Sequence, residues 1–409
     1  MHYESTFNLL SRYGQEHVLR YYNELTDTER SELISQIDEI DFSIFDSLKP
    51  ENLHNHQRGV ISPLEAVTIN DIASKGEEYL SCGLSAIKEG KVAAVLLAGG
   101  QGTRLGFDKA KGMFNIGVNR ELYIFECLVN NLMKVVEQSG TWIHFVVMTS
   151  EINNKDTVEF FAEHNYFGYN KDYVHFFIQD MAPCVDFNGK ILMESKSKIA
   201  VSPNGNGGWF SSLVASGIFD ILKSNGVEWL NVFAVDNVLQ KIADPMFIGA
   251  VISTGSDAGS KVVPKASPDE KEGGMCLDNG KPSIIEYFEL SDEMRILRDK
   301  QGELVYKYGV ILNYLFNMNS LIELNKNKLP IHISEKKIPH IDENGTYIKP
   351  EQPNGYKFET LILDMIHMNK SCLPYEVVRG KEFAPVKNAT GTDSVNTARD
   401  LLTENGISI

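Results

Sequence analysis

The stretch VAAVLLAGGQGTRLGFDKAKG, residues 92–112, joins a continuous apolar run to a loop rich in glycine. Four glycines fall within the eight positions from 99 to 106, and they let the backbone approach a ligand and turn its N–H groups towards phosphate. Leu105 stands where the dinucleotide fingerprint requires its third glycine, and no Gly-Lys-Ser/Thr closes the loop as in a Walker A motif. Arg104 and Lys111 place two cations beside the turn, so we predict a phosphate site. The alternative is a tight turn with surface basic residues.

Similar apolar runs recur further along the chain, at residues 142–148, 174–178 and 229–235. Runs of this kind are typical of strands buried on both faces, and helical segments at about 122–136 and 157–163 separate them. The pattern predicts an α/β fold, Rossmann-like, with a mostly parallel central sheet flanked by helices. Ligands in such sheets bind beyond the carboxyl ends of the strands, which selects the loops after Ala98, Ile178 and Val235.

The N-terminal part of the chain is predicted to be mainly helical. Thr26 and Glu29 have capping-box spacing, a second helix is predicted from about Lys75 to Ile87, and the polar stretch 49–63 reads as a loop. We expect an N-terminal helical region at 1–88, an α/β domain at 89–384 and a short C-terminal segment at 385–409.

The composition limits the kind of partner. Of 409 residues, 39 are Lys or Arg and 55 are Asp or Glu, a net charge of −16 that disfavours nucleic acid and anionic membrane surfaces. No apolar run approaches the ~20 residues of a membrane span, and the first residues lack the basic-then-apolar pattern that a signal peptide is expected to show. Five cysteines without a CxxC pair fit neither a disulfide framework nor a zinc ribbon. We expect a cytoplasmic protein whose anionic ligand would need local cations.

Two further positions follow from residue chemistry. Asp236 ends the run 229–235, where one carboxylate can hold Mg²⁺ while phosphates and waters complete the coordination; a helix cap or a turn is the alternative. The segment 203–208, PNGNGG, is a second glycine loop that could present its backbone to a base or a sugar, or else be a surface turn.

The loop LAGGQGTRLG with its following lysine resembles the signature of sugar-nucleotide pyrophosphorylases. Five later segments make the chain similar to the eukaryotic UDP-N-acetylglucosamine pyrophosphorylase family: SPNGNGG (202–208), VDNVLQKIADPMFIG (235–249), KVVPK (261–265), IEYFELS (285–291) and KEFAPVKN (381–388). They occur in order, and the resemblance runs from about residue 10 to about residue 400.

The resemblance implies a nucleotidyltransferase domain and a set of site residues. The implied catalytic residues are Arg104, Lys111 and Lys387. The implied metal ligand is Asp236, which would bind Mg²⁺ or, as an alternative, Mn²⁺. The implied nucleotide contacts are Leu97, Ala98, Gly99, Gly100, Gly102, Thr103, Lys111, Gln179, Gly205, Asp236 and Lys357. The implied contacts to the sugar phosphate are Asn206, Gly273, Glu286, Tyr287, Asn313 and Lys387.

The implied reaction converts UTP and N-acetylglucosamine 1-phosphate into UDP-N-acetylglucosamine and pyrophosphate, by in-line attack of the sugar phosphate on the α-phosphorus. Four positions depart from the family: Ala110 replaces a proline, Val310 replaces an asparagine, and Leu361 and Leu363 replace aromatic residues of animal relatives. A UDP-glucose or broad UDP-sugar pyrophosphorylase is therefore the alternative.

Two readings from other classes are weaker. A UDP-sugar-binding regulator without activity is disfavoured by Arg104 and Lys111, and a nicotinamide dehydrogenase by the missing third glycine. The chain ends about twenty residues after Lys387, before the C-terminal domain of larger relatives, and from this we expect a monomer.

Overall fold

The computed structural model describes residues 3–49 and 58–409. The strands are β1 Ile61–Pro63, β2 Val92–Leu97, β3 His144–Thr149, β4 Val174–Ile178, β5 Met181–Pro183, β6 Val185–Asp186, β7 Met193–Ser195, β8 Lys198–Ile199, β9 Val201–Pro203, β10 Trp229–Ala234, β11 Ala258–Pro264, β12 Gly274–Asp278, β13 Lys281–Ile285, β14 Tyr308–Asn317, β15 His332–Lys336, β16 His340–Ile341, β17 Tyr347–Ile348, β18 Gly355–Glu359 and β19 Cys372–Glu376. The helices are α1 Tyr3–Arg12, α2 Asp27–Asp38, α3 Ile69–Lys88, α4 Ile124–Ser139, α5 Asn154–Glu163, α6 Trp209–Ala215, α7 Ile218–Ser224, α8 Pro245–Ser253, α9 Asp292–Ile296, α10 Met318–Leu324, α11 Ile362–Met368, α12 Arg379–Glu382 and α13 Val395–Glu404.

The chain divides into two compact units, each discontinuous in sequence. The N-terminal unit comprises 3–49, 180–208 and 329–362, and the sheet unit comprises 58–179, 209–328 and 363–409. This division differs from the predicted boundaries at 88 and 384, because α3 and the C-terminal helix α13 pack with the sheet. Among the described residues, no helix is both long enough and apolar enough to cross a bilayer.

The N-terminal unit packs its helices on short strands. Leu10 of α1 and Leu33 of α2 share a core with Ile191, Ile199 and Phe358. The predicted capping box is present at the start of α2: the Thr26 hydroxyl accepts from the Glu29 N–H, and the Glu29 carboxylate accepts from the Thr26 N–H. Of the predicted loop 49–63, residues 50–57 lie outside the described residues, and 61–63 form β1 in the sheet unit.

A sheet of ten strands organises the described part of the sheet unit. The predicted strands β10, β2, β3 and β4 lie side by side in parallel, with Leu97 opposite both Ala234 of β10 and Met148 of β3. Every residue of β2 is buried, which explains its unbroken apolar sequence. The predicted helices at 122–136 and 157–163 are confirmed as α4 and α5.

The α/β prediction is confirmed, but the sheet is more mixed than the apolar runs indicated. β14 runs antiparallel to β10, β11 and β12, and β12 pairs antiparallel with β1 and β13. The β12–β13 hairpin turns at Asn279 and Gly280, which both have positive φ, 50° and 78°. A two-residue turn of that conformation matches the twist of antiparallel strands, and Asn-Gly is its favoured sequence.

A histidine pair at the start of β3 and β4 predicts a pH effect on stability. His144 Nδ1 lies 3.0 Å from His175 Nε2, so only one proton fits between the two rings. Burial lowers the pKa of both histidines, and His175 lowers the pKa of His144 further. The folded pKa values of both histidines lie below the unfolded value of about 6.5, so the unfolded chain binds protons more readily than the folded protein. The pair therefore leaves the free energy of unfolding at its full value above about pH 6.5 and lowers it as the pH falls through the folded pKa values.

We expect the free energy of unfolding, measured with urea, to fall from pH 7 to pH 5 more steeply in the wild type than in His175→Gln. The two proteins share their other titrating groups, so the difference between the curves isolates the pair. Parallel curves would contradict the prediction.

Candidate active site

The loops after β2, β4 and β10 emerge at one edge of the sheet, because these strands are parallel and in register. This edge carries the glycine loop after Leu97, Gln179 after Ile178, and Asp236 after Val235. The Val235 N–H donates to the Leu97 carbonyl at 3.2 Å, which ties the two loop starts together. The three loops selected from sequence therefore meet, as the parallel arrangement requires.

The glycine loop folds back on itself as a narrow hairpin. The Gly102 N–H donates to the Lys109 carbonyl at 2.9 Å, and the Lys111 N–H donates to the Gly100 carbonyl at 3.2 Å. The N–H groups of Gly100, Thr103 and Arg104 make no hydrogen bond within residues 3–49 and 58–409. Backbone donors left free in a turn form a cradle for an anion. Leu97 and Ala98 are buried at its base and support it.

The backbone at Ala110 suits the proline that the family resemblance implies. Its φ is −51° and its ψ is 132°, within the range of a proline ring, and its N–H makes no hydrogen bond in the part of the chain that the structure describes. Ala110→Pro is expected to raise the free energy of unfolding by about 0.4–1 kcal/mol, because it restricts the unfolded chain. Urea unfolding tests this. A lower stability would show that the site has no room for the ring.

Three cations and one carboxylate form what we call the cation cluster: Arg104, Lys111, Lys387 and Asp236. Burial lowers the pKa of Lys111, the positive charges of Arg104 and Lys387 lower it further, and Asp236 opposes them. Mutual influence of this kind requires the four groups to lie near one another. Residues far apart in sequence thus converge on the strand-end edge of a chain with net charge −16.

Asn237 brings Lys387 to this edge. Its side-chain N–H donates to the Glu382 carbonyl at 2.8 Å, and its side-chain oxygen accepts from the Ala384 N–H at 2.9 Å. The Val386 N–H donates to the Asp236 carbonyl at 2.8 Å. The segment before Lys387 is therefore fastened to the end of β10. Sequence reasoning assigned Asn237 no role, although its position beside Asp236 was the signal.

Two carboxylates hold Lys387 in this structure. Its ammonium lies 3.2 Å from Glu272 Oε1 and 3.2 Å from Asp393 Oδ2. Burial opposes the charge, but Glu272, Asp236 and Asp393 outweigh it, so the pKa of Lys387 is raised. The Lys387 side chain is therefore protonated at neutral pH.

Gly273 and Glu286, two of the predicted sugar contacts, come together beside Val310. A Cβ at Gly273 would lie 3.0 Å from the Ile284 side chain, 3.7 Å from Val310 and 3.8 Å from Glu286 Oε2. Val310, one of the departures, therefore supplies an apolar wall in this group. Tyr287 follows with its side chain partly exposed and edge-on to the Phe288 ring.

Asn313 does not join this group, and we correct its expected sugar contact to a structural role. It is fully buried, with its oxygen accepting from Asn231 at 2.8 Å and its N–H facing Gln240 Oε1 and the Lys241 carbonyl at 3.3 Å. The reason is its place on β14 opposite Phe233 of β10, inside the sheet. Lys265 was missed by sequence reasoning. Burial lowers the pKa of Lys265, while the negative charges of Glu270, Glu272 and Glu286 raise it. Lys265 therefore lies near Glu286, one of the predicted sugar contacts.

Gln179 lies directly over the glycine loop. A Cβ at Gly99 would come within 2.5 Å of the Gln179 Nε2 atom, so a side chain at position 99 would displace the Gln179 amide from this position. The side chain is 7% exposed and its amide makes no hydrogen bond within the described residues. A largely buried amide with free donor and acceptor atoms suits recognition of a base edge.

The N-terminal unit holds the remaining predicted contacts, Gly205, Asn206 and Lys357. Gly205 has φ +75°, and a Cβ there would lie 2.3 Å from the Thr360 carbonyl oxygen. The Asn206 side-chain oxygen accepts from the N–H of Ile362 at the start of α11, at 3.0 Å, which leaves its amide N–H group available. Lys357 lies on β18 opposite Ser334. Leu361, another departure, stands against Gly207 of the same loop.

The residues present fit a divalent cation that is shared with substrate. The Asp236 carboxylate makes no hydrogen bond or direct ion pair within residues 3–49 and 58–409. No group of three or more His, Cys, Asp or Glu side chains among those residues could cage a metal alone. Mg²⁺ commonly takes one or two carboxylates and completes its shell with waters and phosphates.

Comparisons with known proteins agree with this geometry. The sequence matches the family described as UTP–glucose-1-phosphate uridylyltransferase over residues 44–404. A human UDP-N-acetylhexosamine pyrophosphorylase-like protein 1 is 35% identical over 96% of this chain and 82% of its own. The UDP-N-acetylglucosamine pyrophosphorylase of Saccharomyces cerevisiae is also 35% identical, over 96% of this chain and 87% of its own.

Solved structures add the fold. The uridine diphosphate N-acetylglucosamine pyrophosphorylase of Trypanosoma brucei superimposes with a TM-score of 0.85 at 28% identity, over 98% of this chain and 84% of that one. A UDP-N-acetylglucosamine pyrophosphorylase from Entamoeba histolytica, itself assigned without proof of activity, gives 0.78 at 34% identity, over 84% and 88%. The chain therefore belongs to the UTP–glucose-1-phosphate uridylyltransferase family, in its UDP-N-acetylglucosamine pyrophosphorylase branch.

Proposed function

We propose that this protein transfers the uridylyl group of UTP to N-acetylglucosamine 1-phosphate, with release of pyrophosphate. The observation that carries the proposal is the cation cluster at the strand-end edge, formed by a chain that is acidic overall. The glycine loop beside it offers free backbone donors for phosphate. The names of the relatives supply the substrate class.

The proposed step is a single displacement. An oxygen of the sugar phosphate forms a bond to the α-phosphorus while the bond from that phosphorus to the pyrophosphate oxygen breaks. A phosphate anion is already a nucleophile at neutral pH, so no general base is needed. The protein therefore contributes positioning and charge neutralisation.

Each cation has a proposed task. Lys111 and Arg104 bind the triphosphate and the departing pyrophosphate, together with the loop N–H groups. Lys387, kept protonated by its carboxylates, exchanges their contacts for the sugar phosphate. Mg²⁺ bound at Asp236, with Mn²⁺ as a substitute, would neutralise charge on phosphate oxygens.

The remaining roles follow the two units. In the sheet unit, Gln179 reads the uracil edge, while Gly273, Glu286 and Tyr287 contact the N-acetylhexosamine. In the N-terminal unit, Gly205 and Lys357 bind the nucleotide and Asn206 binds the sugar phosphate. We also propose that the protein acts as a monomer. We also propose a cytoplasmic location, where unpaired cysteines such as these five stay reduced.

The deciding experiment measures pyrophosphate release from UTP and Mg²⁺ with three sugars: N-acetylglucosamine 1-phosphate, N-acetylgalactosamine 1-phosphate and glucose 1-phosphate. We expect the highest kcat/KM with the first. A preference for glucose 1-phosphate would keep the chemistry and overturn the substrate, and equal rates would favour the broad UDP-sugar alternative that the apolar Val310 leaves room for. No release with any sugar would refute the proposal.

A further inference from the structure

Arg58 lies outside every predicted motif and forms hydrogen bonds to β13, the strand that precedes the predicted sugar contacts Glu286 and Tyr287. Arg58 binds the Glu289 carboxylate with two parallel bonds, Nε to Oε1 at 3.0 Å and Nη2 to Oε2 at 2.6 Å. It also donates to Ser283 Oγ at 3.1 Å and to the Ile284 carbonyl at 3.1 Å. Four guanidinium donors are therefore spent on the end of β13 and on the turn that follows it.

The same hydrogen-bond network includes the backbone of Glu286. Glu289 Oε2, which Arg58 holds, accepts the backbone N–H of Glu286 at 2.9 Å, and the Glu289 N–H donates to the Glu286 carbonyl at 2.9 Å. The turn 286–289 is thus closed from both sides. It presents Glu286 and the partly exposed Tyr287, the two side chains assigned to the hexosamine.

Arg58 is well anchored for such a task. The next two residues are fastened to the β12–β13 hairpin: the Gly59 N–H donates to Asp278 Oδ1 and the Val60 N–H to Asn279 Oδ1, both at 2.9 Å. The Arg58 side chain is 27% exposed and that of Glu289 23%, so water screens their bidentate pair less than it would a surface pair.

We propose that Arg58, acting through Glu289, is a positioning residue that orients Glu286 and Tyr287 towards the sugar of the substrate. This inference rests on the proposed function and concerns only its sugar half. Arg58 makes no contact with the cation cluster or the glycine loop among the described residues, so its removal should leave the nucleotide half intact.

The experiment compares Arg58→Gln, Arg58→Lys and the control Arg120→Gln. Arg120 also pairs with a glutamate, Glu126 at 2.9 Å, but touches none of the assigned residues in the described chain. We measure kcat, the KM for N-acetylglucosamine 1-phosphate, the KM for UTP, and the affinities for UDP and UDP-N-acetylglucosamine by calorimetry.

We expect Arg58→Gln to raise the KM for the sugar phosphate about tenfold, the effect of losing one charge-assisted hydrogen bond. Affinity for UDP-N-acetylglucosamine should fall to match, while the KM for UTP and the affinity for UDP stay within about twofold. Arg58→Lys keeps the positive charge but loses the two parallel hydrogen bonds to Glu289, so its KM for the sugar phosphate should lie between those of the wild type and Arg58→Gln. If Arg58→Gln unfolds below the assay temperature, Arg58→Lys carries the test.

A merely structural role would give a different result. It would lower the unfolding temperature and weaken UDP and UDP-N-acetylglucosamine binding equally, or leave both as in Arg120→Gln, and either outcome overturns the inference. An active wild type with an unaffected sugar KM in the Arg58 variants refutes the inference alone. A wild type without transfer refutes the proposed function, and the inference with it.

Discussion

Replacing Lys111 with alanine is expected to lower kcat at least about a hundredfold while the protein stays folded. The lysine is a half-buried member of the cation cluster, where the loss of one preorganised charge contact costs roughly 2.7–4 kcal/mol of barrier. Its hydrogen bond to Gly100 uses the backbone N–H, which alanine retains, so the glycine loop should keep its hairpin. Steady-state kinetics with saturating UTP and sugar phosphate measure the effect.

Lys109→Ala is the matched control, because Lys109 lies two residues earlier in the same loop with its side chain exposed. It should retain nearly wild-type turnover. Circular dichroism and thermal unfolding of both variants separate lost chemistry from lost structure. If Lys111→Ala and Lys109→Ala have the same kcat, Lys111 has no part in the mechanism.

Asp236→Asn is expected to reduce turnover by a comparable factor, on the order of a hundredfold, and to shift the Mg²⁺ dependence to higher concentration. The asparagine has nearly the same shape but cannot offer an anionic ligand. It also removes the negative charge that offsets Arg104 and Lys387 at Lys111, so the pKa of Lys111 should fall further. The backbone carbonyl that holds Val386 is unchanged, which should preserve the local fold.

A Mg²⁺ titration of initial rates, with Asp220→Asn as the control, checks this second prediction. Asp220 is an exposed residue of α7 and should leave the titration unaltered. An Asp236→Asn variant with wild-type kcat and an unshifted Mg²⁺ curve would remove the carboxylate from both metal binding and catalysis.

The parallel strands could be predicted from the sequence because a strand that is buried on both faces is an unbroken run of apolar residues, as in β2. The antiparallel part was harder, since its strands mix polar and apolar residues. Its best signal was the Asn279-Gly280 pair between two short strands, which predicts a hairpin by turn chemistry. The division into units was not readable, because residues 180–208 and 329–362 join α1 and α2 only through tertiary packing.

The site shows the same contrast. Residues placed by a strand end, such as Asp236 and Gln179, follow from the sheet rule and lie at the edge of the sheet that it selects. Asn313 shows the limit of motif alignment: a polar residue at the expected spacing is consumed by a buried network inside the sheet. Asn237 and Arg58 act through hydrogen bonds to segments far away in sequence, and no local pattern indicates such partners.

The stereochemical course at the α-phosphorus tests the central claim most directly. The substrate is the diastereomer of UTP, with sulfur at the α-phosphate, that the protein accepts, and the configuration of the resulting UDP-N-acetylglucosamine thio-analogue is determined by phosphorus NMR. Direct in-line attack by the sugar phosphate, assisted by Arg104, Lys111 and Lys387, predicts inversion. Retention would require a covalent uridylyl-protein intermediate and would contradict the account, as would a complete absence of transfer from UTP itself.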